Sequence, residues 1–311
     1  MTPDTTRAGG YRAAGDTSTS AAAIGAQAAG QAAAENFPVA LRLLPRRYRG
    51  HLAAVYGFAR TADDMGDEAA PAERLGLLDE LEADLRRLYR LVPSSAPGKP
   101  AGEGEDAPRL PVVRALAATV VACQIPAQPF LDLIEANRQD QVVSRYPVYD
   151  DLLAYCRLSA NPVGRIVLHV FGAATPEREA LSDQVCTALQ LAEHWQDVAE
   201  DLRAGRIYLP QEDLDRFGCT ESDLAAPRAA PQVRALMAFE EQRARALLDA
   251  GAPIVGTLRG AARVAVAGYV AGGRAALAAI AASGHDVLRA TPRPGKHRVA
   301  AELVRAYATG R

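Results

Sequence analysis

The sequence predicts an all-α fold, a single helical-bundle domain, on three observations. Apolar residues recur at helical spacing over long stretches, as Leu78, Leu81, Leu85 and Leu88 do. Thr175-Pro176-Glu177 has the chemistry of a helix start: a capping hydroxyl, a first-turn proline and an acid at the positive end. Sustained alternation of β-branched and polar residues, which marks a half-buried strand, is not found.

Residues 1–33 are rich in Ala, Gly, Ser and Thr and poor in bulky apolar groups, so they are expected to be a disordered N-terminal segment. The domain is expected over 34–290, with order beginning near Glu35-Asn36-Phe37-Pro38. Helix is predicted over 71–92, followed by a Pro/Gly-rich surface loop at 93–109. Further helices are expected over 111–123, 127–143 and 148–171. One helix should then run from Pro176 through Leu202 and stop at Gly205. A second break is expected over about 205–231, then helices over 232–248 and 253–283, then a tail at 291–311. No internal repeat is visible, nor a boundary that would leave two independent cores.

Composition excludes several classes. The 311 residues suffice for a sizeable core, and 49% hydrophobic with 23% charged residues is a globular balance. A net charge of -2 gives no footprint for nucleic acid. Cys123, Cys156, Cys186 and Cys219 form no close pair, which fits a reducing compartment rather than a zinc site or disulfide scaffold. No signal peptide is visible. The longest apolar stretch, 251–282, is interrupted by Arg259, Arg263 and Arg274. A soluble, cytoplasmic protein is expected, at most peripheral on the inner face of a membrane. Neither a Gly-rich nucleotide loop nor a nucleophile elbow occurs, which argues against NAD(P)H, ATP and serine hydrolysis.

The chemistry concentrates on two helices. In Tyr56-Gly57-Phe58-Ala59-Arg60-Thr61-Ala62-Asp63-Asp64-Met65-Gly66-Asp67-Glu68, Asp63 and Asp67 leave one face a turn apart. In the second, Gln190, Glu193, Asp197 and Asp201 draw a polar stripe down a helix otherwise covered by Leu189, Leu191, Ala192, Trp195, Val198 and Leu202. Like charges at this spacing repel, and burial raises the cost. Magnesium answers both problems, because it takes oxygen ligands and bridges carboxylates to substrate phosphates. A single Asp-x-x-x-Asp usually marks a solvated face; two in one helical chain shift the balance toward a metal site. A di-iron carboxylate site needs Glu-x-x-His pairs, and the chain has none. His194 reads as a helix-surface or supporting residue, and Asp64 and Glu68 as facing solvent.

These motifs carry a resemblance. Phe37 through Leu43-Leu44-Pro45, with Tyr56-x-Phe58-x-Arg60-x-x-Asp63-Asp64-x-x-Asp67, resembles the opening motif of the squalene/phytoene synthase family. Asp197-x-x-x-Asp201-x-x-x-Gly205-Arg206-Ile207-Tyr208-Leu209-Pro210 resembles its second motif, a highly specific match, and Tyr155-Cys156 with Val163-Gly164 its central one. The likeness spans roughly 35–285 and implies the isoprenoid synthase fold with a central apolar cavity, Mg²⁺ and a long prenyl diphosphate substrate. By that resemblance Asp63, Asp67, Asp197 and Asp201 are metal ligands, with Glu193 as an added candidate. Tyr56, Arg60 and Arg206 would contact diphosphate or shape the cavity, Tyr208 would bind substrate, and Gln190 matches a polar active-site glutamine. Arg157 and Arg165 are candidate phosphate contacts by guanidinium chemistry. Tyr269 is a candidate for the cavity wall, with core packing its alternative, and Asp140 a candidate support for the acids.

Departures from the family pattern narrow the likeness. Glu193 stands where most members have Asn, Gln196 where they have Arg, and Leu158-Ser159-Ala160-Asn161-Pro162 replaces a Val-Ala-Gly run. With Arg138-Gln139-Asp140 and Trp195-Gln196-Asp197, these resemble the hydroxysqualene synthase branch (HpnC) of bacterial hopanoid biosynthesis. That branch implies ionisation of presqualene diphosphate, rearrangement and quenching by water, without a nicotinamide. Tyr155, Asn161 and Gln196 are candidates to hold the water. The alternatives are head-to-head condensation of two prenyl diphosphates, giving presqualene diphosphate or a phytoene-like product, and a non-catalytic binding or assembly role.

Overall fold

The computed structural model describes residues 44–92 and 107–311. The expected disorder of 1–33, the start near Phe37 and most of the 93–109 loop lie outside the described residues. Within them the chain is all-α: fourteen helices and, in place of a sheet, one isolated bridge between Arg145 and Ile207.

Helices α1 (Arg46–Asp67), α2 (Arg74–Leu91), α3 (Pro111–Cys123) and α4 (Gln128–Gln139) form the first half of the bundle. Leu78, Leu81, Leu85 and Leu88 are wholly buried, as their spacing predicts, and pack with Phe58, Met65, Val113, Leu116 and Phe130. The second half contains α5 (Tyr149–Ser159), α6 (Asn161–Val170), α7 (Pro176–Gln196), α8 (Val198–Arg203) and α9 (Gln211–Phe217). It continues with α10 (Glu221–Leu224), α11 (Pro231–Gly251), α12 (Ile254–Thr257), α13 (Gly260–Ala282) and α14 (Lys296–Thr309). Its core is built around Trp195, Leu191, Val233, Leu248, Val270 and Leu277. Helix α6 joins the two: Ile166, Val167 and Val170 pack into the first core and Leu168 into the second.

Helix α7 is the hub, packed against α5, α6, α11 and α13. It starts as the sequence predicts, with Pro176 in the first turn and the Thr175 hydroxyl accepting from the Arg178 amide at 3.3 Å. A Cβ at Gly164 would lie 2.3 Å from the Ser182 hydroxyl of α7 and 2.5 Å from the Cys186 sulfur, so this crossing requires glycine.

Several expected boundaries move. The 148–171 helix breaks at Ala160, because Pro162 cannot donate to the preceding turn and opens a new helix instead. The 176–202 helix breaks at Asp197, whose backbone (φ -105°, ψ 13°) leaves the helical region. The break expected at 205–231 contains two short helices, α9 and α10, the second started by a reciprocal Thr220–Asp223 capping box. The 253–283 helix divides at Leu258, where the backbone is extended. The 291–311 segment is a helix packed on α13 rather than a plain tail.

Helix α13 is the one described helix long and apolar enough to cross a membrane. Its Val266, Ala267, Val270, Ala271, Leu277 and Ile280 are buried in the bundle, and Arg263 and Arg274 bond the carbonyls of Tyr307 and Arg311. It is placed as a core helix.

Candidate active site

Asp63 and Asp67 lie at the C-terminal end of α1, the negative end of the helix dipole. Neighbours offset this. Arg74 donates to the carbonyls of Asp67 (2.8 Å) and Ala69 (2.9 Å), covering exposed chain-end acceptors. Asn137 of α4 donates to Asp63 Oδ1 at 3.1 Å. Gln141 donates to the Gly66 and Asn137 carbonyls at 3.0 and 2.9 Å, tying α4 to α1. The tie demands glycine at 66, since a Cβ there would meet Asn137 Oδ1 at 2.5 Å. Asp63 is exposed yet crowded by neighbouring protein atoms, and this desolvation, with the Asp67 charge, raises its pKa against the Asn137 bond.

Asp64 does not face solvent as expected. It is buried, with Oδ1 2.7 Å from Arg60 Nε; Arg60 also reaches Glu68, which is exposed as expected, at 3.0 Å. Arg60 is therefore committed to its own helix rather than held open for a diphosphate. Tyr56 is half-buried two turns before Asp63.

The second set straddles the α7–α8 break. Asp197 closes α7, and its carbonyl accepts from the Glu200 and Asp201 amides at 2.8 Å. Desolvation and the Asp197 charge push Asp201 up to about 7, with Arg206 opposing. Asp197 is raised by desolvation and Glu200, with Arg293 opposing; Glu193 is raised by desolvation and Asp197. These are acids short of positive charge.

Arg206 joins the two sets. Its Nη2 donates to Asp67 Oδ1 at 2.8 Å while its charge acts on Asp201. The loop that carries it is pinned from behind: Ile207 N to Ser144 O at 3.0 Å, Arg145 Nη1 to Gly205 O at 2.7 Å, and Gln211 N to Tyr146 O at 2.8 Å. Asp140 lies beside this junction, as expected of a supporting acid. Tyr155 Oη donates to its Oδ2 at 2.8 Å, and its Oδ1 is buried without a hydrogen-bond partner among the described residues. Burial pushes Asp140 up to about 6, with the Tyr155 bond opposing.

An aromatic wall backs the acids. Tyr208 stacks on His194 (centroids 3.6 Å, 13°) and lies 5.8 Å from Tyr146 and 5.9 Å from Tyr155. His194 is buried, not on the helix surface, and burial lowers its pKa to about 3, so it is a neutral ring. Gln190 contacts its Nε2 at 3.3 Å.

An apolar cavity of about 250 Å³ lies between α5, α6, α7 and α13, walled by Val163, Val167, Leu168, Val185, Leu189 and Val266, with Gln190, Glu193 and Tyr269 on its lining. A groove of about 400 Å³ between α7 and α13 is lined by Glu193, Gln196, Asp197 and Arg293. Glu193 borders both.

Other expected residues stand apart. Arg165 makes a two-bond ion pair with Asp183 at 3.0 and 2.6 Å, and Arg157 is exposed on α5. Asn161 is buried, accepting from Thr187 at 2.9 Å, and Gln196 donates to the Pro292 carbonyl. Sequence reasoning missed Asn137, Gln141 and Arg293. Asn137 lies in the last turn of α4, four residues before Gln141 in the turn that follows, and this i,i+4 pair of amides is the only sequence signal for them.

The family model described as squalene/phytoene synthase matches residues 31–300. The chain is 36% identical over 229 residues to a hydroxysqualene synthase from Rhodopseudomonas palustris, covering 72% of each protein. It is 35% identical over 187 residues to a phytoene synthase from Mycobacterium tuberculosis, covering 60% of this chain and 56% of that one. Among solved structures it is similar to the squalene synthase HpnC from Alicyclobacillus acidocaldarius. There the identity is 40% and the TM-score 0.74, over 86% of this chain and 95% of that one. The chain therefore belongs to the squalene/phytoene synthase family and shares its helical-bundle fold and type of reaction.

Proposed function

We propose that this protein ionises presqualene diphosphate with the help of Mg²⁺ and quenches the rearranged cation with water, giving hydroxysqualene. The observation that carries the reading is the junction at Arg206, which brings Asp67 and Asp201 of the two acid sets around one guanidinium, while Glu193 of the second stripe lines an apolar cavity. Similarity to hydroxysqualene synthases supports the choice of product.

The residues fit magnesium. Among the described residues, no three His, Cys, Asp or Glu side chains converge closely enough to hold a metal by themselves. The donors are nevertheless all carboxylate oxygens, Asp197 and Asp201 have raised pKa values, and Asp140 keeps a buried unpartnered oxygen. That pattern suits ions completed by water and substrate phosphate rather than a closed protein cage. Asp63, Asp67, Asp197 and Asp201 would hold them, with Glu193 as a further oxygen donor. When bound, magnesium neutralises the charge that builds on the departing diphosphate.

The chain's own residues do the rest. Arg206 binds diphosphate oxygens at the junction of the two sets. Tyr155 orients Asp140, and Tyr208 lines the approach with a flat ring held by His194. Gln190 and Glu193 mark where the polar end meets the apolar cavity, whose wall keeps water from the cation until rearrangement is complete. Tyr56 shapes the α1 side. A lipid diphosphate substrate supports reading the enzyme as cytoplasmic and peripheral on a membrane face. Arg157, Arg165 and Asn161 have structural partners or positions and no part in this scheme.

Head-to-head condensation is the second reading, favoured by the cavity and the groove adjoining at Glu193, which offers room for two prenyl chains. Incubation of the purified protein with Mg²⁺ and no NADPH separates the two. Hydroxysqualene from presqualene diphosphate supports the first, and presqualene diphosphate from farnesyl diphosphate the second. Turnover of neither removes both.

A further inference from the structure

The hydroxysqualene reading requires one water to reach a cation that the cavity otherwise shields, and the three residues that the sequence offered to hold it are committed elsewhere. Tyr155 donates to Asp140, Asn161 accepts from Thr187, Gln196 donates to the Pro292 carbonyl, and none lines the cavity.

The cavity's own polar groups can be followed one by one. Ser159 donates to the Tyr155 carbonyl at 3.1 Å, and Ser182 pairs with the Cys186 sulfur at 3.9 Å. Gln190 contacts His194, and Glu193 borders the acidic groove. Tyr269 of α13 is the one aromatic residue on the wall, and its hydroxyl has no hydrogen-bond partner among the described residues. Tyr269 is 38% exposed, so the cavity meets water at this residue, and a hydroxyl without a protein partner there is placed to hold a water or a ligand group.

We propose that Tyr269 holds the water that ends the reaction, and so decides between an alcohol and an olefin as product. The inference rests on the reading above. The bound water attacks with its oxygen lone pair, forming the carbon–oxygen bond at the cationic carbon. The proton it sheds goes to the diphosphate already released, a base the reaction itself generates. Desolvation pushes the Tyr269 hydroxyl up to about 12, so it keeps its proton and positions the water rather than deprotonating it. Its ring adds an electron-rich face toward the cation. Without the positioned water, the same cation loses a proton from an adjacent carbon and leaves as a C30 olefin.

The test is the product ratio of Tyr269→Phe on presqualene diphosphate with Mg²⁺, quantified by mass spectrometry per diphosphate released. The Phe variant keeps the ring and loses no protein hydrogen bond, so its fold is retained. The alcohol-to-olefin ratio is expected to fall about tenfold, the worth of one positioning hydrogen bond. Tyr269→His, which restores a polar group, is expected to recover part of the ratio. A purely structural role would lower both products together and leave the ratio unchanged, and that result overturns the proposal. If the wild-type protein forms no alcohol from presqualene diphosphate, the hydroxysqualene reading falls and this inference falls with it. If it does and the ratio survives in Tyr269→Phe, only the role of Tyr269 falls.

Discussion

Asp63 and Asp67 lie near the end of an unbroken helix, whereas Asp197 and Asp201 straddle a break. The first pair is matched by protein donors: Asn137 on Asp63 and Arg206 on Asp67, with neighbouring Asp64 covered by Arg60. The second pair has acids for neighbours on its own helices, Glu193 and Glu200, and the opposing charges of Arg206 and Arg293 do not cancel them. Equal spacing in sequence thus yields one set with a protein donor on each acid, although burial still raises Asp63, and another whose nearest side-chain neighbours are acids. The unmatched set has the greater need of a cation from outside.

The largest effect that tests this comparison is on turnover. Asp63→Asn and Asp197→Asn should each lower turnover about a thousandfold, the scale of losing metal-assisted charge stabilisation, with helical content unchanged by circular dichroism. Activity retained in both would remove the metal mechanism from either set.

A smaller effect sharpens it. Asp201 titrates near 7 in the folded chain and Asp140 near 6, both above the unfolded carboxylate value of 3.8. The folded state therefore holds these protons more tightly. The stabilisation is fully present below the unfolded pKa and is lost as pH rises from about 4 to about 7. In the presence of a chelator, thermal melts should show the chain losing a few degrees over that window. Asp201→Asn should flatten this slope and raise the melting temperature at pH 8. Asp67→Asn should lower it by about 1–2 °C, because Arg206 loses its partner in a half-exposed pair. Shifts of the same sign in the two variants would contradict the asymmetry.

Much of this was legible in the sequence. Helical periodicity placed the long elements, and the fully buried leucines of α2 lie where their spacing put them. The flanking residues of both acid motifs carried the family. What the sequence concealed were events within helical text. Nothing in Gln196-Asp197-Val198 is a helix breaker, so the interruption at Asp197 is a tertiary effect rather than a matter of local propensity. The break before Pro162 is legible in the proline itself, which opens a new helix in its first turn. Asp64 was assigned to solvent because charge usually is; its burial follows from an arginine four residues earlier on the same helix. Of the two readings of His194, surface and supporting, the structure takes the second; the stacking partner that decides it, fourteen residues downstream, leaves no trace in periodicity.

The Arg206–Asp67 pair has a consequence for how ligands arrive. On the proposed function, an incoming metal ion would compete with a guanidinium for Asp67, and an incoming diphosphate would compete with a carboxylate for Arg206. Each arrival frees the group that the other needs, so the two bindings are thermodynamically coupled and reciprocal. Calorimetric titration of Mg²⁺ with and without inorganic diphosphate should show each tightening the other, and Arg206→Ala should weaken that coupling; independent affinities would contradict it. The lone enzyme then behaves as a latch holding its own two halves, one that neither ion opens efficiently without the other.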